Sequence, residues 1–398
     1  MPITNPELLH AILARPSAPF REIHVINQIV EALSQAGVPH FSDPIGNIVV
    51  GVASKKAYLK QARAKTREPL RVFIAHMDHP GFHGLKWLAG ETPQARLAFK
   101  WHGGSPTRHL EGAKVWIASR SGVHSEGIVE SAELLELGRA ISHGVIRMMP
   151  QTQESRPPAL KATELYGGFH FREFLWREGD LLYTKAADDL VGAFAITQLA
   201  IENFRKSSRK QRPFIGLLTR AEEVGFIGAI GHLELGWLKN AGRPILGVSL
   251  ETSRALPGAE IGKGPVVRLG DKYTVFDSGA LRVLADLAQK ILPDAHQRRV
   301  MDGGTCEATA AMVYGFPCIG ISVPLGNYHN QSFEGGPDSR GELGPAPEFV
   351  HIDDVAGLQR LCSALLKPGL RWSSPWEPRL REFRKSLRGA RGLLRTGP

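Results

Sequence analysis

The chain has 398 residues, of which 42% are hydrophobic and 22% are charged, as in a globular protein with a sizeable core. This length favours about two domains over a single core. There is no run of about 18 apolar residues and no basic-then-apolar leader pattern, so we expect neither a membrane span nor a secretory signal. The three cysteines form no CxxC pair, which favours reduced thiols and a cytoplasmic location.

The net charge of +10 is concentrated at the C-terminal end of the chain. Residues 370–398 contain eight Lys or Arg against two Glu, a net charge of +6. Such an extension can bind a polyanion or a membrane surface, but no nucleic-acid-binding signature accompanies it. We therefore predict a solvated basic extension with no membrane partner, and we keep nucleic acid as an alternative partner.

The first part of the larger domain, residues 1–85, is predicted to contain both helices and strands. Apolar spacing near 3.6 predicts helices within residues 5–36, and a turn at 43–47 precedes a strand at 48–52. The basic and polar residues 54–69 are predicted to form a loop or the flank of one. A short buried strand at 71–75 then ends at His76.

Residues 86–180 have a different composition. Short strand-like segments alternate with Gly, Pro and Ser, and no long amphipathic helix is evident. We predict a small β-rich domain, inserted into the larger one, that serves oligomerisation or substrate gating.

The second part of the larger domain, residues 181–369, returns to alternating strands and helices, which predicts an α/β sheet with helices on both faces. The predicted strands are 214–219, 245–250 and 318–323, the predicted loops are 258–270 and 334–346, and the predicted helices begin near residues 188, 222, 280, 306 and 353. In such sheets, ligands bind beyond the carboxyl ends of the strands.

The segment 185–192, with the sequence KAADDLVG, places Asp188 and Asp189 at the start of a helical pattern. A helix N-terminus favours negative charge and side-chain acceptors, so the pair by itself is explained as a helix cap with a charged neighbour. Other metal-ligand residue types that follow predicted strands change this interpretation. They make a carboxylate here a natural bridge between two metal ions.

The proposed metal ligands comprise two imidazoles and three carboxylates: His76, Asp188, Glu223, Glu251 and His329. Each alone is better explained as an ordinary turn or helix-start residue, so the hypothesis depends on the set. We assign His76 and Glu251 to one metal, Glu223 and His329 to the other, and Asp188 to both. Zinc is the expected metal, and cobalt and manganese are alternatives because histidine–carboxylate sites accept all three.

Two more acids have predicted catalytic roles. Glu222 would accept a proton from a water shared by the two metals and pass it to the leaving amine. Asp78, two residues after His76, would hydrogen-bond the imidazole and fix its tautomer.

These segments resemble the co-catalytic dizinc aminopeptidases, in the branch of the tetrahedral and glutamyl aminopeptidases. The resemblance spans nearly all of the chain to about residue 366, and it is carried by residues 75–78, 80–82, 185–192, 222–229, 251, 303–305 and 321–324 with His329. It implies a mixed sheet sandwiched by helices, interrupted by a small β-barrel-like domain. It also implies that Asp188 bridges the metals, Glu222 is the base and Asp78 supports His76.

The same resemblance implies a metallopeptidase that removes N-terminal residues from peptides and assembles into homo-oligomers through the inserted domain. Three positions depart from the family pattern: His79 replaces the usual Glu, Glu251 replaces Asp, and Cys306-Glu307 replaces the Asp after Gly-Gly-Thr. The last change keeps open a deacylase or amidohydrolase acting on an N-acylated small molecule. A non-catalytic binding protein on the same fold is a third hypothesis.

Overall fold

The computed structural model describes residues 2–89, 95–149 and 160–395. Parts of the predicted insertion (90–94 and 150–159) and the last three residues of the extension lie outside the described residues. The helices are α1 (Pro6–Leu13), α2 (Ile23–Gln35), α3 (Lys55–Ala62), α4 (Leu190–Phe204), α5 (Ile227–Glu234), α6 (Ser278–Ile291), α7 (Glu307–Val313), α8 (Ile352–Leu365) and α9 (Glu377–Ala390).

The strands, in chain order, are β1 (His40–Ser42), β2 (Ile48–Val50), β3 (Leu70–His76), β4 (Gly81–Leu88), β5 (Arg96–His102), β6 (Lys114–Ser119), β7 (Gly122–Leu134), β8 (Ile141–Met148), β9 (Tyr166–Phe169), β10 (Leu175–Glu178), β11 (Leu181–Thr184), β12 (Ile215–Thr219), β13 (Ile245–Arg254), β14 (Val266–Asp271), β15 (Gln297–Met301), β16 (Cys318–Leu325) and β17 (Glu348–His351).

An eight-stranded sheet in the order β1-β2-β12-β3-β13-β16-β14-β15 forms the centre of the larger domain. Its four middle strands, β12, β3, β13 and β16, are parallel, and β14 joins them antiparallel. Side chains alternate across β3: Phe73 and Ala75 pack in one hydrophobic core, whereas Val72 and Ile74 pack in the other. Because helices cover both faces, strand β3 is buried along its whole length.

Helix α4 lies within the larger core. Asp189 caps it by accepting a hydrogen bond from the backbone N–H of Gly192 at 3.2 Å, as the sequence predicted. The helix is apolar on nearly all sides, which is typical of a helix buried in a large core. The cap therefore fixes where the preceding residue, Asp188, leaves the core.

Strands β4 to β9 close into a six-stranded antiparallel barrel in the order β4-β5-β8-β7-β6-β9. Aromatic side chains fill it, among them Phe82, Phe99 and Phe169. Strands β10, β11 and β17 form a separate three-stranded sheet. The predicted fold class, a mixed α/β sheet with a small barrel, is confirmed. The domain boundaries at residues 86, 180 and 370 remain predictions.

Several local predictions were wrong. Residues 54–69, predicted as a loop, contain α3, which Ser54 caps and which buries Tyr58 and Ala62. The predicted loop at 258–270 contains part of β14, whose register is set by pairing with β16. Pairing between residues distant in sequence decides such a strand, so local patterning did not reveal it.

The segment Glu222–Glu223 does not begin a helix, because α5 starts at Ile227. Ala221, the residue before Glu222, has a left-handed backbone with φ 54°, so the chain turns at this point. Among the described residues, no helix is long and apolar enough to cross a membrane.

Candidate active site

Three of the predicted site residues come from neighbouring parallel strands of the central sheet. His76 ends β3 and lies opposite Thr219 of β12, three residues before Glu222. On the other side of β3, Ser249 pairs with Ile74, so Glu251, two residues later, is level with His76. The carboxyl ends of these strands therefore bring distant segments together at one edge of the sheet.

The two remaining ligand candidates come from segments next to that edge. Asp188 lies between β11 and the N-terminus of α4, and the peptide bond to Asp189 is cis. His329 follows β16 in a short turn, Tyr328–Asn330, and its backbone is left-handed with φ 56°. A non-glycine residue in this conformation is costly, by roughly 1–3 kcal/mol, and persists only when its surroundings hold it there.

All five predicted ligands meet. One carboxylate oxygen of Asp188, Oδ1, lies 3.6 Å from His76 Nε2, and the other, Oδ2, lies 3.8 Å from His329 Nε2. Glu223 Oε2 is 3.1 Å from the same nitrogen of His329. The possible ligand atoms fall into three sets: His76 with Asp188 and Glu251, Asp188 with Glu223 and His329, and His76 with Glu222 and Glu223. The first two correspond to the predicted division, and the third joins His76 to both glutamates of the turn.

Several possible metal-ligand atoms of this cluster have no hydrogen-bond partner among the described residues. Within the described part of the chain, Asp188 Oδ1, Glu223 Oε1 and His329 Nε2 are buried and have no hydrogen-bond partner. A buried carboxylate oxygen or imidazole nitrogen left unpaired costs free energy, and a bound cation removes that cost. Imidazole nitrogen and carboxylate oxygen are ligands that suit zinc, so the residues present fit two divalent metals.

Burial and mutual repulsion raise the pKa values of Glu222 and Glu251 in this cluster. Burial raises the pKa of Glu222 well above its ordinary value, and neighbouring carboxylates add to this effect. Burial likewise raises the pKa of Glu251 to about 7. Burial lowers the pKa of the His76 imidazole, but nearby carboxylates, Glu222 foremost, outweigh it and raise that pKa well above its ordinary value. Groups whose pKa values are moved in this way concentrate at functional sites.

Asp78 lies beside His76, but its carboxylate has another main role. The backbone N–H groups of Glu222 and Glu223 donate to its two oxygens at 3.0 and 3.2 Å. His76 Nδ1 is 3.1 Å from the backbone carbonyl of Asp78 and 3.7 Å from its carboxylate. Asp78 therefore orients the two glutamates of the turn through hydrogen bonds, and it contacts His76 mainly through its carbonyl.

A buried carboxylate that the sequence analysis did not select, Glu348 of β17, holds two of the predicted ligands. Its Oε2 accepts hydrogen bonds from the backbone N–H groups of Ala187 and Asp188 at 2.6 and 3.2 Å. Its Oε1 accepts one from the N–H of His329 at 2.9 Å, at the strained turn. Glu348 thus fixes both segments on which the Asp188 and His329 side chains depend.

A second unpredicted acid, Glu22, holds the turn that carries Glu222. Glu22 Oε1 accepts from the N–H of Ala221 at 3.1 Å, and Oε2 accepts from Arg220 Nε at 2.8 Å. Neither Glu22 nor Glu348 carries a distinctive local motif. A buried acid in an apolar segment was the only available signal, since such residues are rarely buried without partners.

His79, which departs from the family pattern, contacts the segments that carry Asp188 and His329 and does not line the cavity. Its Nδ1 is 2.9 Å from the backbone carbonyl of Asp188, and its Nε2 is 3.2 Å from Asn330 Oδ1. Burial lowers the pKa of His79, so the ring is neutral and donates one of these hydrogen bonds. His83 lies farther away, with Nε2 2.8 Å from the carbonyl of Pro19. Both have local structural contacts instead of lining the cavity.

The other departures fall at the end of the cavity near Glu251. Cys306 is buried, and its thiol lies 3.6 Å from the carboxylate of Asp271. Glu307 is also buried and accepts a hydrogen bond from the hydroxyl of Thr219 at 2.5 Å. Arg268 of the unpredicted strand β14 lies 3.9 Å from the Glu251 carboxylate. Gly303, Gly304 and Thr305 line the cavity, whereas Cys306 does not.

A cavity of about 730 Å³ opens over the cluster, and all of the predicted metal ligands contribute to its wall. The barrel supplies Gly104 and Arg139 to the same wall. Gly104 leaves no room for a side chain, because a Cβ there would lie 1.9 Å from His329 Nδ1. The barrel therefore borders the site directly, and the cavity is large enough for a small molecule or part of a peptide.

The comparisons with known proteins agree with this geometry. A family model described as M42 glutamyl aminopeptidase matches residues 167–333. The fold is similar to that of the Pyrococcus horikoshii TET1 peptidase, which can assemble into a tetrahedron or a large octahedral shell (TM-score 0.67, 20% identity, 92% of this chain and 100% of that chain). It is also similar to aminopeptidase APDkam598 from the archaeon Desulfurococcus kamchatkensis (TM-score 0.66, 19% identity, 92% and 95%).

No curated protein matches the chain. The family match, the shared fold and the paired ligand sets identify the chain as a co-catalytic metallopeptidase. Within that class it is a dinuclear-metal aminopeptidase.

Replacing Glu348 by Gln should weaken metal binding. One of its two acceptor positions would become an NH₂ donor that faces a backbone N–H, so the segment carrying either Asp188 or His329 would shift. We expect metal affinity to fall by about 10–100-fold, as for other residues that orient metal ligands. A competitive chelator titration measures this.

The exposed Glu342, whose side chain is 80% accessible, provides the control through Glu342→Gln. An unchanged metal affinity in Glu348→Gln would show that Glu348 does not orient the ligands.

Proposed function

We propose that this protein hydrolyses N-terminal residues from peptides by means of two zinc ions. His76, Asp188 and Glu251 would hold one ion, and Asp188, Glu223 and His329 the other. The observation that carries this proposal is the position of Asp188, whose two oxygens face imidazoles from separate parts of the chain. A carboxylate in this position suits a ligand shared by two cations.

When bound, the metals would acidify a water and polarise the scissile carbonyl. Glu222 is the residue best placed to move the proton. It lines the cavity, lies 3.8 Å from His76 Nε2, and is held by the hydrogen bond from its N–H to Asp78. A carboxylate placed there can take a proton from water and return it to the leaving amine.

The other residues orient the reacting groups. Asp78 and Glu22 fix the turn that carries Glu222, and Glu348 fixes the segments that carry Asp188 and His329. Residues 303–305 line the same cavity as Glu251, where a bound peptide would lie. The family match does not favour the deacylase hypothesis.

A substrate panel distinguishes the peptidase from the deacylase. We expect hydrolysis of amino-acid arylamides that have a free amine and no hydrolysis of the same compounds after N-acetylation. The metal-loaded protein should be assayed on both sets by release of the arylamine and of acetate. Acetate release from the blocked set would instead favour the deacylase.

Glu222→Gln should lower kcat by about 10²–10⁴-fold, because Gln cannot accept the proton from water. Metal content should be retained, since Glu222 is not among the proposed ligands. The measurement pairs steady-state kinetics with metal analysis, and the control is Glu260→Gln, outside the cavity wall. Full activity in Glu222→Gln, or less than one metal per chain in the unaltered protein, would contradict the assignment.

We also propose that the chain assembles into homo-oligomers through the inserted barrel. Support comes from the exposed apolar residues between β7 and β8, where Leu135 and Leu137 are 51% and 77% accessible. The same connection carries Arg139 to the cavity wall, so an assembly formed there would also border the site. A reducing, cytoplasmic location is supported by three free, buried cysteines.

Light scattering tests the assembly. We expect the mass of the unaltered protein to be a multiple of the 43.5 kDa mass of one chain. The variant Leu135→Ser/Leu137→Ser should have a lower mass, closer to that of a single chain, because the apolar contact would be lost. The matched control is Tyr273→Ser/Val275→Ser, at exposed apolar positions on the larger domain. A single-chain mass for the unaltered protein would contradict the proposal.

A further inference from the structure

The basic extension contains a helix with an exposed apolar side. Helix α9 spans Glu377–Ala390, and Leu380, Phe383 and Leu387 follow one another at spacings of three and four residues. Residues at these spacings lie on the same side of a helix. Together with Trp376, which precedes the helix, they form a stripe that is 44–63% accessible, and we call these four residues the apolar stripe.

The other sides of α9 are strongly basic. Seen along the axis at about 100° per residue, Arg384 lies beside the apolar stripe, Arg388 lies about 80° beyond its edge, and Lys385 lies on the opposite side of the helix. Arg379 and Arg381 form ion pairs with Glu382 and Glu377 within the helix. The helix therefore combines a narrow apolar stripe with a surplus of positive charge.

The described part of the chain leaves about half of the surface of each stripe side chain exposed. Among the described residues of α9, none is buried. The segment before the helix is anchored by Trp372, which packs against the larger core. The Arg71 guanidinium lies over the Trp372 ring, 6.0 Å from its centroid. The attachment of the extension to the larger domain thus lies before the helix, and the stripe itself remains available to a partner.

Charge decides which partner suits the stripe. Residues 370–398 carry a net +6, so the remaining 369 residues carry a net +4. A second copy of the chain offers no negative surplus, and pairing two α9 helices would bring like charges together. An anionic surface that also accepts apolar side chains matches both properties of the helix.

We propose that α9 is an interfacial anchor that binds an anionic lipid membrane. The helix lies parallel to the membrane plane, with Trp376, Leu380, Phe383 and Leu387 among the acyl chains. Arg384 and Arg388 reach lipid headgroups from the flank of the stripe, each contributing electrostatic attraction near the surface, whereas Lys385 faces water. This inference is independent of the peptidase proposal, and it revises the expectation that no membrane is a partner.

Vesicle co-sedimentation of the full chain tests the anchor. The vesicles contain phosphatidylcholine, either alone or with about 30% phosphatidylserine, in about 0.15 M salt. We expect the protein to sediment with the anionic vesicles and to remain in solution with the neutral ones. Leu380→Ser/Phe383→Ser/Leu387→Ser keeps every charge and should weaken binding by at least about tenfold, because the apolar contribution is lost.

The matched control is Tyr273→Ser/Val275→Ser, which removes exposed apolar groups elsewhere and should bind vesicles like the unaltered protein. Circular dichroism and thermal unfolding of each variant verify the fold. Three outcomes overturn the proposal. The unaltered protein stays in solution with both vesicles, or the triple variant binds undiminished, as a purely electrostatic contact would. In the third, the unaltered protein does not bind vesicles and the triple variant has a lower oligomer mass by light scattering than the unaltered protein. That result would assign the stripe to contact with a second copy of the chain.

Discussion

The Asp188 carboxylate lies between two imidazoles, and the rest of the site depends on its being held there. Its position is fixed from several directions. The following residue caps α4, the backbone N–H donates to Glu348, and the backbone carbonyl contacts His79. A small carboxylate has few orientations when both ends of its backbone are fixed, so its two oxygens can face two separate ligand sets.

This arrangement gathers more negative charge than a protein interior normally tolerates. Acids such as Glu222, Glu251 and Glu307 are all buried at the same sheet edge. Burying carboxylates without compensating cations is costly, and their raised pKa values express that cost. Two divalent cations would compensate the charge, so metal binding and the stability of this edge of the fold are coupled.

The two parts of the chain outside the central sheet act differently. The barrel borders the cavity through Gly104 and Arg139. The C-terminal helix makes no comparable approach, because Trp372 attaches the extension before α9 begins.

The sequence by itself determined the α/β class and the five candidate ligands. Buried strands have clear local patterns, and the residues that follow parallel strands meet at one edge wherever the strands are placed. The sequence also determined the cap at Asp189, because capping acts within one helical turn. Only the tertiary structure decided that Glu348 and Glu22 hold the ligand segments, that β14 exists, and that Glu222 lies in a turn. These features depend on contacts between residues far apart in the chain, and local patterning carries no record of such contacts.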